Sequence, residues 1–498
     1  MHPLVRRVVL FWRQIIRKFL AGAGRLLPKE VPKENGILKE LHDDEKESSR
    51  TQFSKEEILK IRQENYGPSC MLFFQENPLK IDRAFGQYMY DEQGTQYIDC
   101  INNVAHVGHS HPRVTQAATA QMEKLSTNNR YLHDNLPALA KRIIATLPAA
   151  LSVCYFTNSG SEANDLALQL ARMYKHRTDI ITLDNAYHGT VTSLQEINPY
   201  KWKQTDSNTS EMYKRSSVHV VPAADTYRGE YRDDKYPPEQ LTDLYVQKVK
   251  DVIDSLQNQG KAPPAAFIAE SMQSCGGQVI YPDDYLPKVK RVMESCGGLT
   301  IVDEVQVGFG RVGDHWWAFQ QFGEGFVPDI VTMGKPMGNG HPIAAVVTTR
   351  EVADQFKLPY FNTYGGNPVS CAIGLAVMDI IEEEGLRAKA IEVGNHIVGK
   401  FEELASRHKL IGQVRGRGLF VGVDLVTNRE SREPATSAAA YIVKRLRNDG
   451  VLLSRDGPDE NVLKFKPPMC LTAADVDEVV AKVDKLLYEL ESSIPTKD

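Results

Sequence analysis

Short apolar runs alternate with helix-like stretches over the middle third of this 498-residue chain. The six runs are four or five residues long and lie at positions 153–156, 180–183, 265–269, 299–302, 330–333 and 344–347. Strands that are apolar on both faces are typical of parallel sheets covered by helices. Helical patterns at 162–175 and 286–294 lie between runs. The pattern predicts an α/β fold with a largely parallel sheet flanked by helices.

The segments on either side of this region have a different pattern. Residues 88–91 and 96–100 flank the turn-forming sequence Glu-Gln-Gly-Thr and predict a β-hairpin. The C-terminal part, from about residue 376, alternates helical stretches with short strands, predicted at 421–425, 451–453 and 462–465, and ends in an amphipathic helix at 472–491. These segments predict a smaller α+β part beside the large sheet.

The N-terminus carries a strong charge asymmetry. Residues 1–29 contain seven basic residues and no acidic one, so the remainder holds 52 of the 59 basic residues against all 64 acidic ones, a net charge of −12. Apolar side chains from Leu4 to Phe19 fall on one helical face between the arginines. Such an amphipathic, Arg-rich segment is typical of mitochondrial targeting peptides, and a surface-bound helix is the alternative.

We therefore predict a leader at 1–29, a charged flexible linker at 30–50, and a folded body from about residue 51. Ser54 and Glu57 form a capping-box pattern that predicts a helix start. The predicted location is the mitochondrial matrix, with the cytoplasm as the alternative.

Composition excludes several classes of protein. The acidic body argues against nucleic-acid binding, which leaves a basic footprint. No run of about 20 apolar residues exists, so stable membrane insertion is not expected. The seven cysteines are odd in number and form no Cys-x-x-Cys pair, which argues against a disulfide framework or a zinc knuckle and favours reduced, mostly buried thiols.

Four polar features follow predicted strands, the place where ligands bind in open α/β sheets. Residues 158–164, Asn-Ser-Gly-Ser-Glu-Ala-Asn, combine small side chains with a helix N-terminus and suit a phosphate. Asp303 follows an apolar run, and a buried acid needs a cationic partner. Lys335, in a Gly-rich turn, is a candidate Schiff-base lysine. Residues 362–368 form a second Gly-rich turn that suits another phosphate contact.

Each feature alone is explained equally well by ordinary structure, such as a capped turn. Their combination is more specific, because a phosphate cradle, a strand-end acid and a strand-end lysine are what pyridoxal phosphate requires. The lysine holds the cofactor covalently, the acid keeps the pyridine nitrogen protonated, and the cradle fixes the phosphate.

Five motifs in order resemble those of a known family: Asn158-Ser-Gly-Ser-Glu-Ala-Asn, Tyr187-His-Gly, Val302-Asp-Glu-Val-Gln, Gly334-Lys and Thr363-Tyr-Gly-Gly-Asn-Pro. From about residue 65 to 490 the chain resembles the class III pyridoxal-phosphate-dependent aminotransferases. The resemblance implies fold type I, the aspartate-aminotransferase fold, with a large cofactor domain at 111–375 and a small domain built from 51–110 and 376–498. It also implies pyridoxal 5'-phosphate as cofactor and a homodimer, or a tetramer, with shared active sites.

The resemblance assigns the central roles by position. Lys335 would bind the cofactor as a Schiff base and later act as the proton-transferring base. Asp303 would pair with the pyridine nitrogen, and Gln306 would hydrogen-bond the ring hydroxyl.

The remaining cofactor contacts follow in the same way. The cofactor phosphate would be held by Ser159, Gly160 and Ser161. Tyr187 would stack on the ring, and His188 would support the site. Glu270 matches a Glu-Pro site of the family, with Ser in place of Pro. Thr363 would reach the phosphate in the neighbouring subunit.

One departure from the family pattern concerns the substrate. Many members have an arginine near the C-terminus that clamps a substrate carboxylate, and Lys464 stands at that position in Val-Leu-Lys-Phe-Lys-Pro-Pro. Lysine lacks the planar fork that binds a carboxylate with two hydrogen bonds and suits a compact phosphate better. Lys464 and Arg130 are therefore the candidate residues for a substrate phosphate, with solvated surface cations as the alternative.

Further segments, such as Glu270-Ser-Met-Gln-Ser-Cys, resemble the alanine–glyoxylate aminotransferase 2-like subgroup, which contains ethanolamine-phosphate and 5-phosphohydroxy-L-lysine phospho-lyases. This resemblance implies an enzyme that eliminates phosphate from a phosphorylated primary amine, and O-phosphoethanolamine, giving acetaldehyde, ammonia and phosphate, is the favoured substrate.

The alternatives are a true aminotransferase for alanine–glyoxylate or ω-amino acids, a phosphohydroxylysine lyase, and a catalytically silent protein that binds pyridoxal phosphate. A zinc site on His106, His109 and His111 is a further alternative. That run lacks Cys or acidic partners at metal spacing, so no metal site is predicted.

Overall fold

The structure is a computed structural model that describes residues 53–128 and 130–493. The predicted leader and linker lie outside these residues. The chain divides into a unit that ends at Lys80 and a unit that begins at Ile81. The first unit contains helix α1 (Lys55–Asn65). Its capping box is as predicted: Glu57 N–H donates to Ser54 Oγ at 3.2 Å, and Ser54 N–H donates to Glu57 Oε2 at 2.7 Å.

The second unit opens with the strands β1 (Ile81–Phe85), β2 (Tyr88–Asp91) and β3 (Gln96–Asp99), which pair antiparallel in that order. The β2–β3 pair is the predicted hairpin. The Asp91 carboxylate holds its turn by accepting the N–H groups of Gln93 and Thr95 at 3.0 and 2.9 Å. Helices α2 (Pro112–Met122) and α3 (Asn135–Ile144) follow.

A seven-stranded sheet forms the centre of this unit. Its strands are β4 (Leu151–Thr157), β5 (Ile180–Leu183), β6 (Val218–Val221), β7 (Ala266–Glu270), β8 (Leu299–Asp303), β9 (Ile330–Met333) and β10 (Ala344–Thr349), in the order β4-β10-β9-β8-β7-β5-β6. Only β10 runs antiparallel to its neighbours. The predicted α/β fold with a largely parallel sheet is confirmed, and each predicted run lies on a strand.

Helices connect these strands and cover the sheet. They are α4 (Gly160–Tyr174), α5 (Thr192–Gln195), α6 (Pro199–Trp202), α7 (Ser207–Tyr213), α8 (Pro238–Asn258), α9 (Tyr285–Ser295) and α10 (Arg350–Gln355). Helix α4 buries Ala163, Leu166 and Leu170 in one cluster with strand residues such as Ile268 and Val346. This packing places the N-terminus of α4 at the carboxyl ends of the parallel strands.

The C-terminal part builds a second, smaller sheet. Its elements are α11 (Pro368–Glu383), α12 (Leu386–Arg407), β11 (Ile411–Arg417), β12 (Phe420–Asn428), β13 (Glu433–Pro434), α13 (Thr436–Asn448), β14 (Val451–Leu452), β15 (Ser454–Asp456), β16 (Val462–Phe465) and α14 (Ala473–Ser493). The strands pair in the order β11-β12-β16-β15, with β13 beside β12. Strand β14 instead pairs in parallel with β3, so the sheet of β1, β2 and β3 is completed from the far end of the chain.

None of the helices among the described residues is long and apolar enough to cross a membrane.

Candidate active site

A cavity of about 300 Å³ lies at the carboxyl ends of the parallel strands. Eight of the predicted site residues line it: Ser159, Gly160, Ser161, Tyr187, His188, Asp303, Gln306 and Lys335. They come from segments up to 176 positions apart in the chain, from Ser159 to Lys335. The sheet brings them together because the carboxyl ends of its parallel strands lie at the same edge.

The N-terminus of the 15-residue helix α4 opens into this cavity. Ser159 caps the helix, since its Oγ accepts the N–H of Glu162 at 3.2 Å. Within the described residues the backbone N–H groups of Gly160 and Ser161 donate no hydrogen bond. Two free donors at the positive end of a helix dipole form a binding site for an anion such as phosphate.

Gly160 has no room for a side chain. A Cβ added there would lie 2.8 Å from Cγ1 of Val305. The glycine therefore lets the first turn of α4 approach Val305, which lies two residues after the acid Asp303 that ends β8.

We expect Gly160→Ala to destabilise the protein by about 1–3 kcal/mol, because overpacking forces the helix and the loop apart. The midpoint and slope of urea unfolding measure this. Gly399→Ala in α12 is the matched control, since nothing lies within 4 Å of its added Cβ and alanine favours helix. Equal midpoints for the Gly160 variant and the unchanged protein would contradict the packing described here.

Asp303 ends β8 and is 3 % exposed. Its Oδ1 accepts the N–H of Val305 at 2.9 Å, and its Oδ2 accepts from Asn164 Nδ2 at 2.7 Å and from His188 Nδ1 at 2.9 Å. Thr332 donates to the Asn164 carbonyl oxygen at 2.6 Å, which fixes the amide orientation. Four elements thus hold one buried carboxylate in place.

His188 contacts the Asp303 carboxylate directly through Nδ1 at 2.9 Å. Its ring is buried, and its Nε2 has no hydrogen-bond partner among the described residues. Because Nδ1 faces a carboxylate, the proton is assigned to Nδ1. The imidazole therefore orients the Asp303 carboxylate by donating a hydrogen bond from Nδ1.

Glu270 ends the neighbouring strand β7 and is in register with Asp303. Burial raises its pKa to about 7, and the charge of Asp303 acts in the same direction. Ser274 N–H donates to one carboxyl oxygen at 3.1 Å, while the other oxygen has no partner within the described residues. Glu270 lies behind the cavity wall and does not line the cavity.

Lys335 begins a short 3₁₀ helix, Lys335–Gly338, directly after β9. Burial lowers the pKa of its amine, and the negative charge of Asp303 opposes that shift. A lysine with a lowered pKa has a larger fraction of the neutral amine that attacks a carbonyl carbon. The placement is the one that the Gly-rich turn predicted.

Two further predicted residues have well-defined positions in the cavity wall. The side-chain oxygen of Gln306 accepts from Asn103 Nδ2 at 2.7 Å, which leaves the Gln306 amide group to donate. The Tyr187 ring packs edge-on against Tyr200 at 6.1 Å between centroids. Asn103 and Asn164 also support the site. Asn164 belongs to a motif that was predicted as a phosphate cradle, whereas no sequence pattern marks Asn103.

Besides Glu270, three predicted residues do not line the cavity. Thr363 is exposed. Arg130 is also exposed, with its guanidinium 5.5 Å from the centroid of the Phe361 ring. Lys464 is 2 % exposed, so it is not a solvated surface cation, and its Nζ pairs with Asp456 Oδ2 at 2.7 Å.

The three histidines considered for zinc have other partners. His106 contacts the Phe309 carbonyl and Arg311, His109 pairs with Asp99, and His111 pairs with Glu384. Within residues 53–128 and 130–493, no group of three His, Cys, Asp or Glu side chains is arranged to hold a metal.

The cavity fits pyridoxal phosphate. The free N–H groups of Gly160 and Ser161 suit its phosphate, the Asp303 carboxylate suits its pyridine nitrogen, and the Lys335 amine suits its aldehyde. The fold and this site define a pyridoxal-phosphate-dependent enzyme of fold type I. The chain belongs to the class III aminotransferases: the family model "Aminotransferase class-III" matches residues 74–487.

Two curated relatives are similar over most of the chain. An alanine–glyoxylate aminotransferase 2-like protein of Drosophila melanogaster is 51% identical over 431 residues, covering 86% of each chain. An ethanolamine-phosphate phospho-lyase homolog of Caenorhabditis elegans is 43% identical over 443 residues, covering 87% of this chain and 94% of its own.

A solved structure is similar in fold as well. It is a phospholyase from Arthrobacter in complex with phosphoethanolamine, which is 37% identical and superposes with a TM-score of 0.80, covering 88% of this chain and 100% of its own. The family therefore includes both transaminases and phospho-lyases among the relatives of this chain.

Proposed function

We propose that this enzyme eliminates phosphate from a phosphorylated primary amine, and that O-phosphoethanolamine is its substrate. The observation that carries the proposal is the 2.7 Å ion pair between Lys464 and Asp456. The position expected to hold a carboxylate-binding arginine carries a lysine whose charge is already neutralised. The likeness to the phosphoethanolamine-bound phospholyase supports the same substrate class.

In this proposal the residues of the cavity divide the work. Gly160 and Ser161 bind the cofactor phosphate, Tyr187 packs on the ring, and Gln306 donates to the ring hydroxyl. Asp303, oriented by His188 and Asn164, keeps the ring nitrogen protonated. The bound cofactor supplies an electron sink, which lowers the cost of removing a proton from the adjacent carbon.

Lys335 has two roles, which follow from its amine. Its Nζ would hold the cofactor covalently, and with substrate bound the free Nζ would take the proton from the carbon bearing nitrogen. The carbon–oxygen bond at the next carbon then breaks, and its electron pair leaves with the phosphate. One water enters in total, so phosphoethanolamine and water give acetaldehyde, ammonia and phosphate.

The test is to incubate the purified holoenzyme with phosphoethanolamine and no keto acid. We expect inorganic phosphate and acetaldehyde in equal amounts. Reaction only with an amino-group acceptor, such as glyoxylate with alanine as donor, would instead support the transaminase. Phosphate release from 5-phosphohydroxylysine, measured under the same conditions, shows which of the two phosphorylated amines reacts faster.

We also propose a homodimer with shared active sites. Large apolar side chains are exposed at Tyr131, Leu132, Leu358, Phe361 and Tyr364, with exposed fractions from 58% to 102%. Exposed apolar patches of this kind mark protein interfaces. Thr363 lies within this surface, so a second copy would bring it to the other site. Sedimentation of the holoenzyme would show the dimer, and a monomer with full activity would contradict it.

The location in the mitochondrial matrix is proposed on the composition of the leader alone, with the cytoplasm as the alternative. N-terminal sequencing of the protein from its native source tests this, and an intact Met1 would count against cleavage.

A further inference from the structure

The segment before helix α2 contacts the loop that follows β8 at two carbonyl groups. Asn103 Nδ2 donates to the Gln306 carbonyl oxygen at 3.1 Å, and His106 Nε2 lies 2.7 Å from the Phe309 carbonyl oxygen. Arg311 Nη2 lies 3.0 Å from the other ring nitrogen of His106. Because a guanidinium can only donate, the proton of His106 is assigned to Nε2. Two donors, each 203 positions from its acceptor, therefore hold this loop.

The amide of Asn103 has one orientation that satisfies these contacts. A backbone carbonyl can only accept, so the Asn103 atom that lies 3.1 Å from the Gln306 carbonyl oxygen must be the amide nitrogen. The same nitrogen is 2.7 Å from the side chain of Gln306 and has a second hydrogen to donate. The Gln306 atom at that distance is therefore the oxygen, Oε1. One backbone carbonyl thus fixes two amides in series.

Burial protects this arrangement from exchange with water. Asn103 is 1 % exposed and Gln306 is 8 % exposed. Turning the Gln306 amide over would place its nitrogen against the nitrogen of Asn103, and buried donors would then lack an acceptor. In the stable orientation the Gln306 nitrogen donates to no described residue, and Gln306 lines the cavity. Gln306 therefore offers a donor to a bound molecule.

We propose that Asn103 is a positioning residue for the cofactor, because it fixes the Gln306 amide with its nitrogen toward the ring oxygen of pyridoxal phosphate. A donor at that place stabilises the ring oxygen without its proton, whereas an amide oxygen would repel it. Asn103 does not itself line the cavity, so it acts through Gln306. The inference rests on the role proposed for Gln306 and is independent of which amine is the substrate.

The experiment measures the absorbance of the cofactor in the holoenzyme against pH, without substrate. The midpoint of the change reports how tightly the proton beside the ring oxygen is held. A donor to that oxygen lowers its affinity for the proton, so loss of the donor raises the midpoint. We expect Gln306→Ala to raise the midpoint by about 1–2 pH units and Asn103→Leu by about 0.5–1. These are the sizes of hydrogen bonds to a charged and to a neutral partner.

The double variant separates positioning from a general structural role. If Asn103 acts through Gln306, Asn103→Leu has no further effect once residue 306 is alanine, and the two midpoints agree within about 0.3 pH units. Asn102→Leu is the matched control in the same turn. The Asn102 amide nitrogen contacts Asp99 Oδ2 at 2.9 Å and Met89 Sδ at 3.6 Å instead of Gln306. Its variant should keep the midpoint of the unchanged protein within the same margin.

The titratable side chains that line the cavity are the same in every variant, so a shift of the midpoint reports the changed amides. They are Tyr187, His188, Asp303, Lys335 and His341. Glu270, behind the cavity wall, is also unchanged. Asn103→Ala removes the same donor without adding volume, and we expect a shift in the same direction. It replaces the leucine variant if circular dichroism shows that the leucine variant is not folded.

An unchanged midpoint in a folded Asn103 variant would overturn the inference, and so would an equal shift in the presence and in the absence of the Gln306 side chain. An unchanged midpoint in Gln306→Ala would overturn the role proposed for Gln306, and this inference with it. Neither measurement involves phosphate release from phosphoethanolamine, so failure of the proposed substrate is detected separately.

Discussion

Replacing Lys335 with alanine is expected to lower the rate of phosphate release from phosphoethanolamine by at least about 10⁴-fold. The methyl group can neither hold the cofactor covalently nor take the proton from carbon. Lys335 begins its 3₁₀ helix with a partly buried side chain, and no other lysine lines the cavity among the described residues. The measurement is single-turnover phosphate release, together with the absorbance of the bound cofactor.

Lys409→Ala is the control for this experiment, because Lys409 is exposed. It should keep full activity and the absorbance of the unchanged protein. Circular dichroism must show that the Lys335 variant is folded. A folded Lys335→Ala protein with activity within tenfold of the unchanged enzyme would show that another group performs the proton transfer.

The second large effect is expected at Asp303, where Asn should lower activity by about 10³-fold. An amide cannot stabilise a protonated ring nitrogen, and it disturbs the contacts from Asn164 and His188 at 2.7 and 2.9 Å. The backbone contact from Val305 is available to the amide oxygen, so the fold should survive. Steady-state rates at saturating cofactor measure the loss.

Asp251→Asn, on the exposed face of α8, controls for the removal of one negative charge from the protein. It should leave the rate within a factor of about two, as surface substitutions do. If Asp303→Asn binds cofactor and retains most of its activity, the ring nitrogen does not depend on this carboxylate.

The strands that form the active-site edge could be predicted because they are apolar on both faces. Strands β1, β6, β11, β13 and β15 were not predicted, and two of them show why. Strand β6 is interrupted by His219, which pairs with Asp179 at 2.8 Å, so the run is not continuously apolar. Strand β11 contains two glycines and two arginines, so it has no apolar run. It pairs antiparallel with β12, and its Arg415 contacts Asp424 on that strand and the Gly277 carbonyl in a distant segment.

Prediction of the candidate site from sequence is limited in the same way, because some contacts form only between distant segments. Asp303 and Lys335 each stand directly after an apolar run, so their position was visible in the sequence. The ion pair of Lys464 was not visible, because it depends on the antiparallel pairing of β15 with β16, which brings Asp456 to Lys464 and not to Lys466. A spacing of two residues gives no sign of which lysine is neutralised.

The parallel pairing of β3 with β14 sets the earliest moment at which the sheet of β1, β2 and β3 can be completed during protein synthesis. Ile98 lies beside Val451, about 350 positions later in the chain. At about 5–20 residues per second of protein synthesis, the edge of β3 waits roughly 20–70 s for its partner. During that time an unpaired strand edge is open to association with other nascent chains.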